Sequence, residues 1–222
     1  MRKAPLYPYK PAARPPRHYI NIFIASVAAL TGTLFFGGFF GDTSAAVPPA
    51  IGLYALLSGL AHGMLLYAVL NAGRDVRVNL YVSLAEWLVR RRLSVNECAA
   101  EIFCQALGAV VAALVVYGTV RNTASLLPGL GGTLSNTSVG WAFALQMLSG
   151  VFIGWAAGKE AFAQTLGVTV ALVFPFVGTS THNPFRWLSA CIIEGTCGVP
   201  EAWTFPVGPL VGILVGSVAA KV

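Results

Sequence analysis

Charge is what this chain has least of. Only 10% of its 222 residues are Asp, Glu, Lys or Arg, where a soluble domain carries roughly a quarter. That shortage, with a mean hydropathy of +0.73, excludes an ordinary water-soluble globule. Chemistry-bearing side chains are also sparse: the sequence holds three histidines and four cysteines. Cys98 and Cys104 are too far round one apolar helix to form a metal pair. Cys191 and Cys197 flank a loop, and both a disulfide and two buried free thiols stay open there. No nucleophile–base pair, metal cluster or phosphate loop can be assembled, so neither an enzyme nor a cofactor is expected.

What the chain has instead is glycine and long apolar runs. Its 24 glycines suit transmembrane helices, which approach closely through small residues. Windows of about 20 apolar residues predict six spans: Tyr19–Phe40, Ala50–Leu70, Asn96–Val120, Val139–Ala157, Phe162–Val177 and Ala202–Ala220. The net charge of +6 does not indicate a nucleic-acid partner, because the positive residues are not spread over one binding face. All but Arg121 and Arg186 fall in the N-terminal tail, the 74–92 stretch, Lys159 and Lys221. With an even number of crossings those four places share one side, which the positive-inside rule makes cytosolic. Both termini are therefore expected on that side. Residues 1–18, Pro-rich and basic, read as a cytosolic arm rather than a cleavable signal, and 19–222 as one membrane domain.

Two shorter apolar segments interrupt the pattern, Asn79–Val89 after the second span and Asn183–Ile193 after the fifth. Each is half the length of a span, and each opens on asparagine, a strong N-cap whose side-chain oxygen accepts an orphan backbone N–H. Both are apolar around most of their circumference, so they need a buried setting. Three spans with a half-helix after the second, given twice, is an internal duplication with an odd number of spans per repeat. Such repeats, about 19–120 and 139–222, must be inverted relative to each other. Matched short segments in two halves are the strongest sequence pointer to a membrane conduction or binding site. The predicted fold class is all-α, six transmembrane helices plus two re-entrant half-helices.

Several stretches in order carry a specific resemblance. They are "LTGTLFFGGFFG" (30–41), "VNLYVSLAEWL" (78–88), Gln105 with Leu107-Gly108-Ala109, "THNPFRWLSA" (181–190) and "FPVGPLVG" (205–212). The chain resembles the major intrinsic protein family, the aquaporins and aquaglyceroporins, over about residues 20–222. The resemblance implies a passive channel for water or small uncharged solutes, built as a homotetramer in the lipid bilayer. It makes Asn79 and Asn183 the pore asparagines, with Leu80, Tyr81, Pro184 and Phe185 as the half-helix starts. Arg186 falls at the filter arginine, with Phe174, Ser180 and Ser58 or Gly59 as its partners.

Departures from the family pattern are numerous. Leu80-Tyr81 and Phe185 replace Pro-Ala and Ala, and Ala29 and Gln146 stand where the family carries buried glutamates. Two rings at a tight helix contact must either splay the half-helices or turn aside. Those changes support an alternative: an aquaporin-fold structural subunit of a larger membrane complex, with a narrowed or closed pore. His62 reads either as a pore residue or as a core histidine bonded to a carbonyl, and His182 either braces the second half-helix or lines the pore. His18 is expected at the interface without a role. Glu101 is expected to satisfy backbone groups of a re-entrant loop, where it could do locally what the missing glutamates do elsewhere, and Glu86 to pair with the Arg90–Arg92 cluster.

Overall fold

The computed structural model describes residues 14–40, 60–61, 63–72, 76–120, 139–156, 183–195 and 203–220. Seven helices lie among them: α1 (Pro16–Phe40), α2 (Gly63–Ala72), α3 (Leu80–Leu88), α4 (Val95–Val120), α5 (Val139–Ala156), α6 (Pro184–Glu194) and α7 (Thr204–Ala219). No strand occurs among the described residues. The predicted span Phe162–Val177 and the first part of Ala50–Leu70 lie outside them. Helix α1 begins three residues before the predicted Tyr19. Proline suits a first helical position because it has no N–H to leave unpaired, and the Pro15 carbonyl accepts the His18 N–H at 2.9 Å. Helix α4 opens on a capping box: the Glu97 carboxylate takes the Ser94 N–H at 2.8 Å and the Ser94 hydroxyl takes the Glu97 N–H at 3.2 Å.

Polarity is distributed inside out. Glu86, Glu101, Gln105, Gln146, Ser149 and Arg186 are buried, whereas Phe103, Val110, Leu114, Trp141, Phe152, Val215 and Val218 are exposed. Water would penalise that arrangement and hydrocarbon favours it. Helices α1, α4 and α5 are long and apolar enough to cross a bilayer. The protein is an integral membrane protein.

Among the described residues two pairs of helices pack along their length, and each pair runs in one direction. Between α1 and α4 the contacts climb in step: His18 with Glu101, Ser26 with Gly108, Leu30 with Ala109 and Ala112, Leu34 with Val116. Helices α5 and α7 pack backbone to backbone along Gly208, Gly212 and Gly216, which meet Gln146, Gly150 and Val151, while Gly154 meets Ile213. A Cβ on Gly212 would stand 2.9 Å from the Gly150 Cα and nearer still to the Met147 carbonyl. Because only backbone lies there, nothing can rotate away. Gly212→Ala is expected to cost about 1–3 kcal/mol, read as a lower unfolding midpoint in detergent. Gly118, which has nothing within 4 Å, supplies the control, since Gly118→Ala should melt no lower than wild type.

Candidate functional site: two facing half-helices

The same cap is built twice. Asn79 is extended (φ −132°, ψ 121°), and its Oδ1 accepts the Tyr81 N–H at 2.9 Å. Asn183 Oδ1 accepts the Phe185 N–H at 3.0 Å. The Asn79 carbonyl then takes the Ser83 N–H and the Asn183 carbonyl the Trp187 N–H, which start α3 and α6. Leu80 and Pro184 both serve as first helical residues. Losing proline at the first position thus leaves a helix start intact.

The two caps touch. Asn183 Nδ2 donates to the carbonyl of Val78, the residue before Asn79. From this junction the helices diverge. The end of α3 reaches the end of α5, where Arg90 donates to the Gly154 carbonyl. On α6, Ala190 and Ile193 pack on Leu34 and Val116, toward the ends of α1 and α4. Two half-helices therefore meet N-terminus to N-terminus inside the protein, and their partial positive charges converge.

Both bulky rings turn aside. Tyr81 is 3% exposed, sits in an apolar cluster with Val82, Ala85, Ile153 and Ile213, and donates its hydroxyl to the Pro206 carbonyl of α7 at 2.6 Å. Phe185 leans the other way, onto Leu30, Ala109 and Ala112 of α1 and α4. Arg186 is 2% exposed, and its Nη2 donates to the Thr33 carbonyl of α1 at 3.1 Å. It does not reach for the surface. Ser58, Gly59, His62, Phe174, Ser180 and His182 lie outside the described residues, as do the Cys191 side chain and Cys197. Cys98 and Cys104 are free thiols.

Sequence reasoning placed Glu101 at a re-entrant loop but named the wrong partners for it. Glu101, fully buried, spends its carboxylate on side chains rather than on backbone groups. Oε1 receives Arg77 at 2.6 Å with His18 Nε2 at 3.3 Å, and Oε2 receives the Ser83 hydroxyl at 2.8 Å. His18 is accordingly buried, not interfacial. One turn on, Gln105 Nε2 donates to the Arg77 carbonyl and to the Ser83 hydroxyl, both at 3.0 Å. The signal was legible as Glu101 and Gln105 on one face of α4, but their targets depend on how the loop folds. Glu86 pairs with Arg90 at 2.6 Å, and Arg92 stands 3.9 Å away.

No family model matches the chain. Over 230 residues it is 26% identical to Aquaporin A of Dictyostelium discoideum, a match covering 94% of this chain and 80% of that protein. Its fold superposes on the X-ray structure of the aquaglyceroporin from Plasmodium falciparum with a TM-score of 0.64 and 22% identity, over 91% and 92% of the two chains. In sequence and in fold the chain is thus similar to aquaporins and aquaglyceroporins. In this chain Ala29 is buried in the apolar cluster that also holds Val76 and Val78. Gln146 lies fully enclosed on α5, its amide without a hydrogen-bond partner among the described residues. The carboxylate that holds the first half-helix comes from α4 instead.

Proposed function

We propose that this chain is a passive channel for water or small uncharged solutes. The observation that carries the reading is the asparagine-capped junction, where the Asn183 amide meets the Val78 carbonyl. Two helix N-termini facing each other put positive potential at one depth, which opposes cations and protons. Asparagine amides at that point offer hydrogen bonds to neutral molecules in single file. The Asn183 amide has two N–H groups, so the bond to Val78 leaves one for a passing molecule. The same reading takes in six spans and two half-helices as inverted repeats over 19–120 and 139–222, a cytosolic arm over 1–18, both termini cytosolic, and a homotetramer. It assigns the filter to Arg186 with Phe174, Ser180 and Ser58 or Gly59, and leaves no enzymatic step to perform.

A second reading has a specific observation in its favour. With one N–H of Asn183 tied across the junction, the passage is narrowed there, as suits a structural subunit of a larger membrane complex. Stopped-flow light scattering on proteoliposomes separates the two. The channel reading expects osmotic water permeability well above that of empty liposomes, with a weak temperature dependence. Permeability equal to empty liposomes would leave only the structural reading.

A further inference from the structure

We infer that Glu101 and Gln105 form a two-point clamp that positions Asn79, and that the same carboxylate ties the start of α1 to the loop carrying it. The inference gives Asn79 its meaning from the channel reading, but the clamp itself is tested separately. Its geometry is specific. Arg77 lies two residues before Asn79 and Ser83 four after, and each is held by a different oxygen of one carboxylate. Gln105 grips the same two residues again, at the Arg77 carbonyl and the Ser83 hydroxyl. Only five residues, 78–82, separate the two grips, so fixing both ends, together with the Val78 and Tyr81 contacts between them, restricts where the Asn79 side chain stands.

Chemistry argues for the same assignment. A carboxylate with no exposed surface is retained only where charge and hydrogen bonds offset its desolvation. Here the offset comes from a guanidinium, a hydroxyl and an imidazole on two separate segments. Ala29 of α1, in the cluster containing Val76 and Val78, offers the loop no hydrogen bond from its side chain. On the α1 side, among the described residues, His18 reaches the clamp, and it shares Oε1 with Arg77. Glu101 is thus a positioning residue acting through Arg77 and Ser83.

Amide hydrogen exchange of the full chain in nanodiscs tests this. Losing a buried charged hydrogen bond should open the loop about tenfold more often. In Glu101→Gln and in Arg77→Gln, amides of 76–83 should therefore exchange about tenfold faster, while 139–156 and 203–219 keep wild-type rates. His18→Ala should quicken only the first turn of α1. Two outcomes would overturn the clamp: unchanged exchange over 76–83 in both variants, or an equal rise along α5 and α7, which marks a general loss of stability. Arg77→Gln keeps the test alive should Glu101→Gln fail to fold. Water permeability of the wild type is read on the same preparation. An impermeable wild type with exchange changes confined to 76–83 removes the channel and leaves the clamp standing.

Discussion

Replacing Arg90 by alanine is expected to destabilise the protein by about 3–5 kcal/mol, the cost of stranding one partner of a buried ion pair. The Arg90 side chain is 5% exposed and that of Glu86 3%. The guanidinium does two tasks at once. It neutralises Glu86 at 2.6 Å and donates to the Gly154 carbonyl, one of the carbonyls left unpaired at the end of α5. Without it the carboxylate keeps, among the described residues, Arg92 at 3.9 Å, a side chain that is 57% exposed and screened by solvent. The Gly154 carbonyl keeps the Ser217 hydroxyl at 3.3 Å. The double replacement Glu86→Leu with Arg90→Leu should recover most of the loss, since no charge is then stranded. Arg91→Ala, at an exposed turn residue with φ 58°, should have little effect. Unfolding midpoints in detergent read all three, and an Arg90→Ala midpoint within the scatter of wild type would refute the pairing as a stabilising element.

On the channel reading, Arg186→Val is expected to raise glycerol permeability about tenfold relative to water, the change that lowering a barrier by about 1.4 kcal/mol produces. A guanidinium 2% exposed within a membrane protein is costly to keep and marks a functional position by default. It contributes both a fixed charge and bulk next to the junction, since Phe185 and the Asn183 cap immediately precede it. Valine removes the charge and most of the length. The Thr33 carbonyl that Arg186 holds lies on α1, so the substitution also loosens α6 from α1, and the melting midpoint should fall. Stopped-flow traces with glycerol and with an impermeant osmolyte give the ratio directly. A lower midpoint with an unchanged ratio would make Arg186 a strut between α6 and α1 and no part of a filter.

Much of the fold was readable because hydrocarbon leaves the chain few options. Apolar runs and asparagine caps predicted Asn79–Val89 and Asn183–Ile193, and the helices run Leu80–Leu88 and Pro184–Glu194. These signals are local, since a cap needs only its own next residues. The early start of α1 escaped because a hydropathy window penalises the prolines and Arg17, although a proline is at home in a first helical turn. The fate of the two rings was not readable. Tyr81 finds a carbonyl on α7 and Phe185 a bed on α1 and α4, and those partners are set by packing between segments far apart in sequence. The same holds for His18, whose neighbour Glu101 lies 83 positions away.

The glycine row on α7 has a mechanical consequence. Where helices meet through side chains, a rotamer change can switch one packing for another, and motion follows. Along α5 and α7 the closest approaches at Gly150, Gly154, Gly212 and Gly216 are to backbone, and few side chains there are free to switch. At those glycines the facing backbone leaves no room for a Cβ, so sliding or rolling the pair would bring backbone against backbone. That flank behaves as a stator. On the channel reading, a change of bore would fall more readily to the half-helices, which are joined to their surroundings by arginine, glutamate and aromatic side chains.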